Sequence, residues 1–248
     1  MGKKFVNFIY KKETNSTNTD AKELAKKGAK EGTVVIADRQ MAGRGRVGKS
    51  FFSPVSTGLY YSLILRPHFS LDEVTFITSA AAVSVVRAIE NVLGIRCGIK
   101  WVNDLYLENK KVCGILCEAT PNSDGGAEYV ILGIGINLLP PEGGFPEDIK
   151  NVAGSVLTEC ENISDIKLDL AKSITEIFFE YYEDFESHSF IKDYQNLSIM
   201  DAREITVLGN EPYEATALFI DDECHLHVEK ENGERVVLSS GEVSIKFI

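Results

Sequence analysis

The chain is 248 residues long, 44% hydrophobic and 25% charged, with a formal net charge of −11. This is the composition of a soluble globular protein with room for one large domain and a small one, and it is too acidic for nucleic acid to be a default partner. No uninterrupted apolar run reaches the ~18 residues of a membrane span, and the five cysteines, Cys97, Cys113, Cys117, Cys160 and Cys224, form no CxxC pair, which predicts reduced thiols in the cytoplasm rather than disulfides or zinc.

The basic N-terminus lacks the long apolar segment and small-residue cleavage site of a signal peptide. Residues 5–10 read as a short strand. Ser16 or Thr17 can cap a helix over 20–27 that Gly28 closes. The β-branched run 33–38 is a strand, 40–49 a Gly- and Arg-rich loop, and 59–66, stopped by Pro67, a further strand. Ser70 and Glu73 form a capping box ahead of a helix from Val74 to Leu93 that Gly94 ends. Its longest apolar stretch, 77–89, is broken by Thr78, Ser79, Ser84 and Arg87; apolar on most faces, it should lie deep against a sheet. Strands follow over 98–107, 112–118 and 129–138, the first two joined by a turn at 108–111. Residues 140–146 form a Pro/Gly-rich loop, and a second long helix covers 168–186, capped by Ser164 or Asp165. Beyond Ser198 the texture changes to short strands over 205–208, 213–220, 225–229, 235–238 and 243–247, with Asn232-Gly233 as a hairpin turn. This predicts a small barrel after a boundary near 193–201.

Gly43-Arg44-Gly45-Arg46-Val47-Gly48-Lys49-Ser50 satisfies the literal P-loop pattern. A P-loop needs a helix starting at the lysine, whose first N–H groups hold phosphate. Here the chain continues as Phe51-Phe52-Ser53-Pro54-Val55-Ser56-Thr57-Gly58, and such residues lead into a strand. The glycines still permit close approach of backbone to a ligand, and Arg44, Arg46 and Lys49 suit an anion; a flexible solvated loop is the plain alternative.

Taken in order, the motifs are Ser16-Thr17-Asn18 at a helix start, Gln40 ahead of the Gly43–Lys49 loop, and Lys100-Trp101-Val102-Asn103-Asp104-Leu105-Tyr106. Lys111 before Gly114-Ile115-Leu116, then Gly133-Ile134-Gly135-Ile136-Asn137, and finally Gly241-Glu242-Val243-Ser244-Ile245 complete the set. This ordered set covers nearly the whole chain and resembles the biotin–protein ligase family. The resemblance implies an α+β fold: a mixed, mainly antiparallel sheet backed by helices, of the class II synthetase-like biotin/lipoate ligase type, over 1–196. A small SH3-like β-barrel would occupy 197–248.

It further implies that Ser16, Thr17, Asn18 and Gln40 hold the ureido ring of biotin. Gly43, Arg44, Gly45 and Arg46 would close over the biotin carboxylate and ATP phosphates, with Lys49 on the nucleotide side. Lys111 would contact the reacting carboxylate and α-phosphate, Asn103 and Asn137 would contact adenine, and Gly114, Gly133 and Gly135 would line the biotin slot. The substrates are then biotin and ATP with Mg²⁺, no protein ligand to the metal being identified, and the partner is a biotin carboxyl carrier protein or carrier domain. Nucleic acid and membrane are not expected, and a homodimer is the default assembly. The chain departs from the family at Val102, where proline is usual, at Phe51, where tryptophan is usual, and at Val47 and Lys49, where arginine is common. Some family members carry an N-terminal helix-turn-helix domain; with 15 residues ahead of Ser16, none is expected.

The chemistry needs cations where a carboxylate meets a phosphate, which Lys111, Arg44 and Arg46 supply, and a closing loop that shields a labile adenylate. Asp104 has two functional readings, base for the incoming lysine or holder of Lys111, beside a plain one as a turn-capping residue. Lipoate ligases share the architecture but need an apolar channel in place of polar ureido contacts. A non-enzymatic vitamin or nucleotide sensor would keep the glycines without needing Lys111. Trp101 is read as core, Cys113 and Cys117 as two core thiols on one strand face, and Phe178, Phe179, Tyr181, Tyr182 and Phe185 as a helix packing face. His225 and His227 are read as strand surface in preference to a metal pair.

Overall fold

The computed structural model describes residues 5–46, 48–71, 73–208 and 211–239, with the backbone of 244–247. Val47 and Gly241-Glu242-Val243 lie outside the described residues. The larger part is a seven-stranded sheet. Its elements are β1 (Asn7–Lys11), α1 (Thr17–Lys26), β2 (Thr33–Ala37), β3 (Gly58–Leu65), α2 (Val74–Leu93), β4 (Gly98–Lys100), β5 (Asp104–Leu107), β6 (Lys110–Pro121), β7 (Ala127–Asn137) and α3 (Ile163–Glu183). Strand order is β1-β2-β3-β7-β6-β5-β4, with β1 parallel to β2 and every other pair antiparallel. This is the mixed, mainly antiparallel sheet expected.

Side-chain alternation along β7 sorts the two faces. Val130, Leu132, Ile134 and Ile136 join the main core with α2 and α3, while Tyr129 and Ile131 pack with Ala21 and Ala25 of α1. Gly133 and Gly135 fall on the α1 side, where they leave the sheet bare. By length and composition α2 could cross a bilayer, so its polar interruptions do not exclude that as the sequence suggested. It is instead the core helix, with Ile77, Ser79–Ala82 and Val83–Val86 among its buried residues.

Several boundaries differ from expectation for local reasons. The strand read over 98–107 is two, β4 and β5, separated by a turn at Trp101–Asn103 that holds a cis Trp101–Val102 peptide. Ser16 is the N-cap of α1, which starts at Thr17 rather than residue 20, without a side-chain cap bond; the Thr17 hydroxyl donates to Gln40 instead. The capping box at Ser70 is not formed: α2 has Glu73 as N-cap with no side-chain cap bond, while Gly94 ends it in the left-handed region as expected (φ +69). Asn162, not Ser164 or Asp165, precedes α3. A short 3-10 turn (Phe185–Ser187) and α4 (Phe190–Asn196) follow where helix and linker were expected. Phe178, Phe179 and Phe185 are buried, and Tyr182 stacks on Phe178, which bears out the packing-face reading.

The C-terminal part is an antiparallel sheet of β8 (Glu204–Leu208), β9 (Tyr213–Ile220), β10 (Leu226–Lys230), β11 (Arg235–Leu238) and β12 (Ser244–Phe247), in the order β11-β10-β9-β8-β12. It shares the main core: Ile205, Val207, Ala217, Leu226 and Val228 cluster with Ile99 and Trp101. Main-chain bonds between Ile99 and Leu197 (2.8 Å) and between Ile199 and Ile99 (2.9 Å) run along β4. The buried Trp101 indole donates to the Cys224 carbonyl at 2.9 Å. Burial pushes the thiols up, Cys97 and Cys224 to about 11 and Cys113 well above the usual value, as expected of core cysteines, and the half-buried Cys117, which packs against that core, to about 12.

Trp101→Phe keeps most of the packing but leaves the Cys224 carbonyl without its donor. We expect a loss of about 1–3 kcal/mol, measured by urea unfolding, with amide exchange quickening first in β9 and β10; unchanged stability and exchange would show that the indole bond does not hold the two sheets together.

Candidate active site

The turn into α1 presents Ser16, Thr17 and Asn18, all buried, to the bare strip of β7. Gln40, at the end of the strand-to-loop passage after β2, closes onto them. Its Oε1 accepts from the Thr17 amide at 2.8 Å and from Thr17 Oγ1 at 3.1 Å, and its Nε2 donates to Ser53 Oγ at 2.9 Å. The Ser62 hydroxyl of β3 lies 2.8 Å from Thr17 Oγ1 and 2.6 Å from Asn18 Oδ1, sharing one hydrogen between them. Asn18 Nδ2 donates to Glu118 at 2.8 Å.

The glycines are required by contact, not by torsion. A Cβ on Gly133 would meet Asn18 Oδ1 at 2.1 Å, and one on Gly135 would meet the Phe51 ring at 2.6 Å. One on Gly114 would press on Phe51 at 3.2 Å and on the Lys111 ammonium end at 3.3 Å.

Residues 43–46 and 48–51 fold back on each other. Gly45 N donates to Lys49 O, Lys49 N to Arg46 O, and Phe51 N to Gly43 O. No helix follows Lys49, so the P-loop pattern is not realised as a phosphate-binding helix start. Arg44 pairs with Glu118 at 2.9 Å, and Arg46 donates to Asn103 Oδ1 at 3.1 Å. Burial draws the Arg46 guanidinium below its ordinary pKa, and the negative charge of Asp104 opposes that.

Two cavities meet here. The first is lined at one end by Ser16, Thr17, Asn18 and Gln40, along its floor by Gly114, Gly133 and Gly135, and above by Arg44, Gly45 and Arg46. The second extends from the other end, where Asn137, Lys100 and Trp101 line it together with the apolar Phe145, Ile149, Val152 and Leu208. Arg46, Lys49, Ser50, Phe51, Asn103, Asp104 and Lys111 line both. At that shared wall Lys111 Nζ lies 2.7 Å from Asp104 Oδ1. This buried oxygen has no donor oriented on it as a hydrogen bond, so the contact is an ion pair between facing charges.

Each sequence-predicted site residue except Gly43 thus lines one or both cavities. Gly43 sits at the loop base, where a Cβ would meet the Phe51 carbonyl at 2.3 Å and Ser53 Oγ at 2.6 Å. Both asparagines also hold backbone. Asn103 Nδ2 donates to the Ile115 carbonyl at 2.7 Å, and Asn137 Nδ2 to the Gly154 carbonyl at 3.0 Å, which pins the 149–154 segment against β7. Trp101 is core, 4% exposed, and still reaches the second cavity.

Sequence reasoning missed Glu118, Ser62, Ser53 and the apolar wall from the 140–153 loop. Two signals were present: Ser62 is the serine set between Tyr60-Tyr61 and the apolar residues 63–65 of β3, and Glu118 shares the strand face of Gly114 and Leu116 by alternation. His225 precedes β10 instead of lying on it. It and His227 both face Asp221, at 3.7 and 2.8 Å, and His227 stacks on Phe219. Asp221, Glu223 and His225 are close enough to share a cation, but none lines either cavity.

Comparison with known proteins gives a consistent answer. Residues 10–137 match the Biotin/lipoate A/B protein ligase family, and residues 203–246 the Biotin protein ligase C terminal domain. The chain is 37% identical over 94% of its length to the bifunctional ligase/repressor BirA of Bacillus spizizenii, of which it spans 72%. It is 26% identical over 93% of its length to the biotin–[acetyl-CoA-carboxylase] ligase of Mycobacterium tuberculosis, spanning 86% of that protein. Among solved structures, the biotin protein ligase of Aquifex aeolicus in complex with biotin and ATP superposes with a TM-score of 0.78 at 28% identity, covering 98% of this chain and 100% of that one. The motif order, the glycine-floored slot and these matches together place the chain in the biotin protein ligase family.

Proposed function

We propose that this chain is an ATP-dependent biotin–protein ligase that forms biotinyl-5′-AMP and then transfers biotin to a lysine of a carboxyl carrier domain. The observation that carries the reading is the shared wall: one set of residues, Lys111, Asp104, Arg46 and Lys49, lines both cavities where they join. Biotin fits the first cavity, its ureido ring among Thr17, Asn18 and Gln40 and its carboxylate at Lys111. ATP fits the second, with adenine against Phe145, Ile149 and Val152 near Asn137 and Asn103, and the phosphates toward Arg46 and Lys49.

In the first step a biotin carboxylate oxygen attacks the α-phosphorus and pyrophosphate leaves. Both reactants are anions, and the cations of the shared wall lower the charge that accumulates between them. In the second step the carrier lysine amine attacks the acyl carbon, AMP departs, and the amine loses a proton. Asp104 is the base placed to take it once substrate anions draw Lys111 away. The polar floor favours biotin over lipoate, whose dithiolane offers no matching acceptor and donors.

Among the described residues, Asp104 is the carboxylate lining these cavities, and it is already paired with Lys111. The donor set therefore does not make a protein-held Mg²⁺ site. The expected Mg²⁺ would travel on the nucleotide phosphates.

The acetyl-CoA-carboxylase ligase named among the relatives suggests the carrier of a carboxylase as partner. We place the domain boundary at 196/197, the catalytic sheet before and the small sheet after. Five free thiols fit a cytoplasmic location. Among the described residues, strand β6 is paired on one side beyond Gly114, and this edge is where we place the contact of a homodimer. Sedimentation over a range of micromolar concentrations is expected to show a dimer, and a monomer throughout would remove that assignment.

Lys111→Ala is expected to lower biotin-dependent exchange of pyrophosphate into ATP by at least about 100-fold, while Asp104→Asn, which loosens Lys111 as well as removing the base, lowers exchange less than it lowers lysine transfer. Exchange with lipoate instead of biotin would move the chain to the sister ligases, and biotin binding with no exchange would make it a sensor. Gly133→Ala displaces Asn18. It should raise the biotin KM by about tenfold or more, the loss of one good polar contact or greater, with little change in the KM for ATP. Equal effects on both substrates would contradict the assignment of the first cavity to biotin.

A further inference from the structure

Glu118 lies on β6 two residues past Leu116, facing the biotin cavity side by alternation. Its two carboxylate oxygens hold different partners. Oε1 pairs with the Arg44 guanidinium at 2.9 Å, and Oε2 accepts from Asn18 Nδ2 at 2.8 Å. From Asn18 the bonds run through Ser62 to Thr17, from Thr17 to Gln40, from Gln40 to Ser53, and from Ser53 Oγ to the Phe51 carbonyl at 2.9 Å. The network thus leaves the 43–51 loop at Arg44, crosses the polar end of the cavity, and rejoins the same loop at Phe51.

Glu118 also fixes the orientation of an amide. A carboxylate only accepts, so Asn18 must turn its nitrogen to Glu118 and its oxygen to Ser62. The second Nδ2 hydrogen is then the donor this amide retains for a ligand acceptor such as a ureido oxygen.

We propose that Glu118 is a positioning residue that couples closure of the 43–51 loop to occupancy of the polar end of the biotin cavity, and so to retention of the acyl-adenylate. The proposal rests on the ligase reading above. Arg44 is 48% exposed and Glu118 21% exposed, so without ligand the pair is screened and weak. A ring seated at the polar end displaces water beside Asn18 and Arg44, which both line the cavity, and so strengthens the attraction between Arg44 and Glu118. What biotin contributes to loop closure, loop closure must return to biotin affinity.

The test is a double-mutant cycle in the full chain with Glu118→Gln, Arg44→Ala and the pair, read by biotin KM against kcat in pyrophosphate exchange and by biotinyl-adenylate escaping into solution. Each single variant should raise biotin KM and adenylate escape by about tenfold, the loss of one charged hydrogen bond, with a smaller change in kcat. The double variant should be no worse than the worse single one. Effects that multiply in the double variant, or a Glu118→Gln enzyme with wild-type KM and escape, would overturn the coupling. Should Glu118→Gln fail to fold, Arg44→Ala alone must still show the KM-against-kcat split and the escape; if it does not, the coupling falls. Tryptic cleavage after Arg44 in the biotin-bound protein, followed against the ligand-free protein, reads loop closure without catalysis. Biotin should protect the wild type and fail to protect Glu118→Gln, and equal protection overturns the coupling. A wild type that binds biotin but shows no exchange would instead overturn the ligase reading, leaving this last comparison to decide the coupling by itself.

Discussion

The site depends on a strip of sheet that carries no side chains. Gly114 pairs directly with Gly135 across β6 and β7, and Gly133 pairs with Leu116. On the opposite face the same strands present Val130, Leu132, Ile134 and Ile136 to α2 and α3 and are fully packed. A ligand slot is therefore cut into one face of a sheet whose other face is the core, and the slot can be narrow without loosening the fold. The neighbouring side chains fill what the glycines leave open: Asn18 lies over Gly133, Phe51 over Gly135, and Lys111 bends back over Gly114. Any Cβ on this strip would push on a residue of the polar floor or on the lysine at the shared wall, so geometry and chemistry cannot be varied separately here.

Charge is organised around the same strip. The chain carries a net charge of −11, yet Arg46, Lys49 and Lys111 converge where the cavities join. Three cations in one place repel each other, and Asp104 offsets part of that cost by facing Lys111 at 2.7 Å. On the proposed reading, an arriving carboxylate and phosphate would compete for Lys111 and release Asp104. One ion pair would then hold the lysine in place before the first step and supply the base for the second.

Much of this was legible in the sequence because it is written in local period and in residue type. Alternating strands, the apolar helix 74–93 and the five short C-terminal strands need little beyond hydrophobic spacing. The P-loop pattern fails on residue type alone, since Phe51 to Gly58 cannot open a helix after Lys49, and the loop indeed runs on without one. What escaped was set by long-range partners. The strand read through 98–107 folds back as a hairpin, β4 pairing with β5, and the turn residue Trp101 bonds Cys224, which is 123 positions away. The Ser70 cap is unused because α2 begins at Val74 with Glu73 as its N-cap, and the Glu73 carboxylate faces His188, 115 positions away. Glu118 reads as an ordinary strand residue until Arg44 and Asn18, 74 and 100 positions away, are placed beside it. Pairings at such separations leave no periodic trace in one sequence.

The position of the small sheet is set by the same long-range contacts. Trp101 and Leu208 both line the second cavity; one belongs to the turn between β4 and β5, the other ends β8. Ile205 and Val207 of β8 are buried in the main core, next to Ile99. The second cavity is thus built at a junction, with part of its wall on each sheet. A ligand that fills it binds only the docked arrangement, and by linkage must stabilise the docking to the extent of its own affinity. The small sheet is therefore part of the second cavity's wall through Leu208, and the Trp101–Cys224 bond ties the turn that carries Trp101 to the loop between β9 and β10.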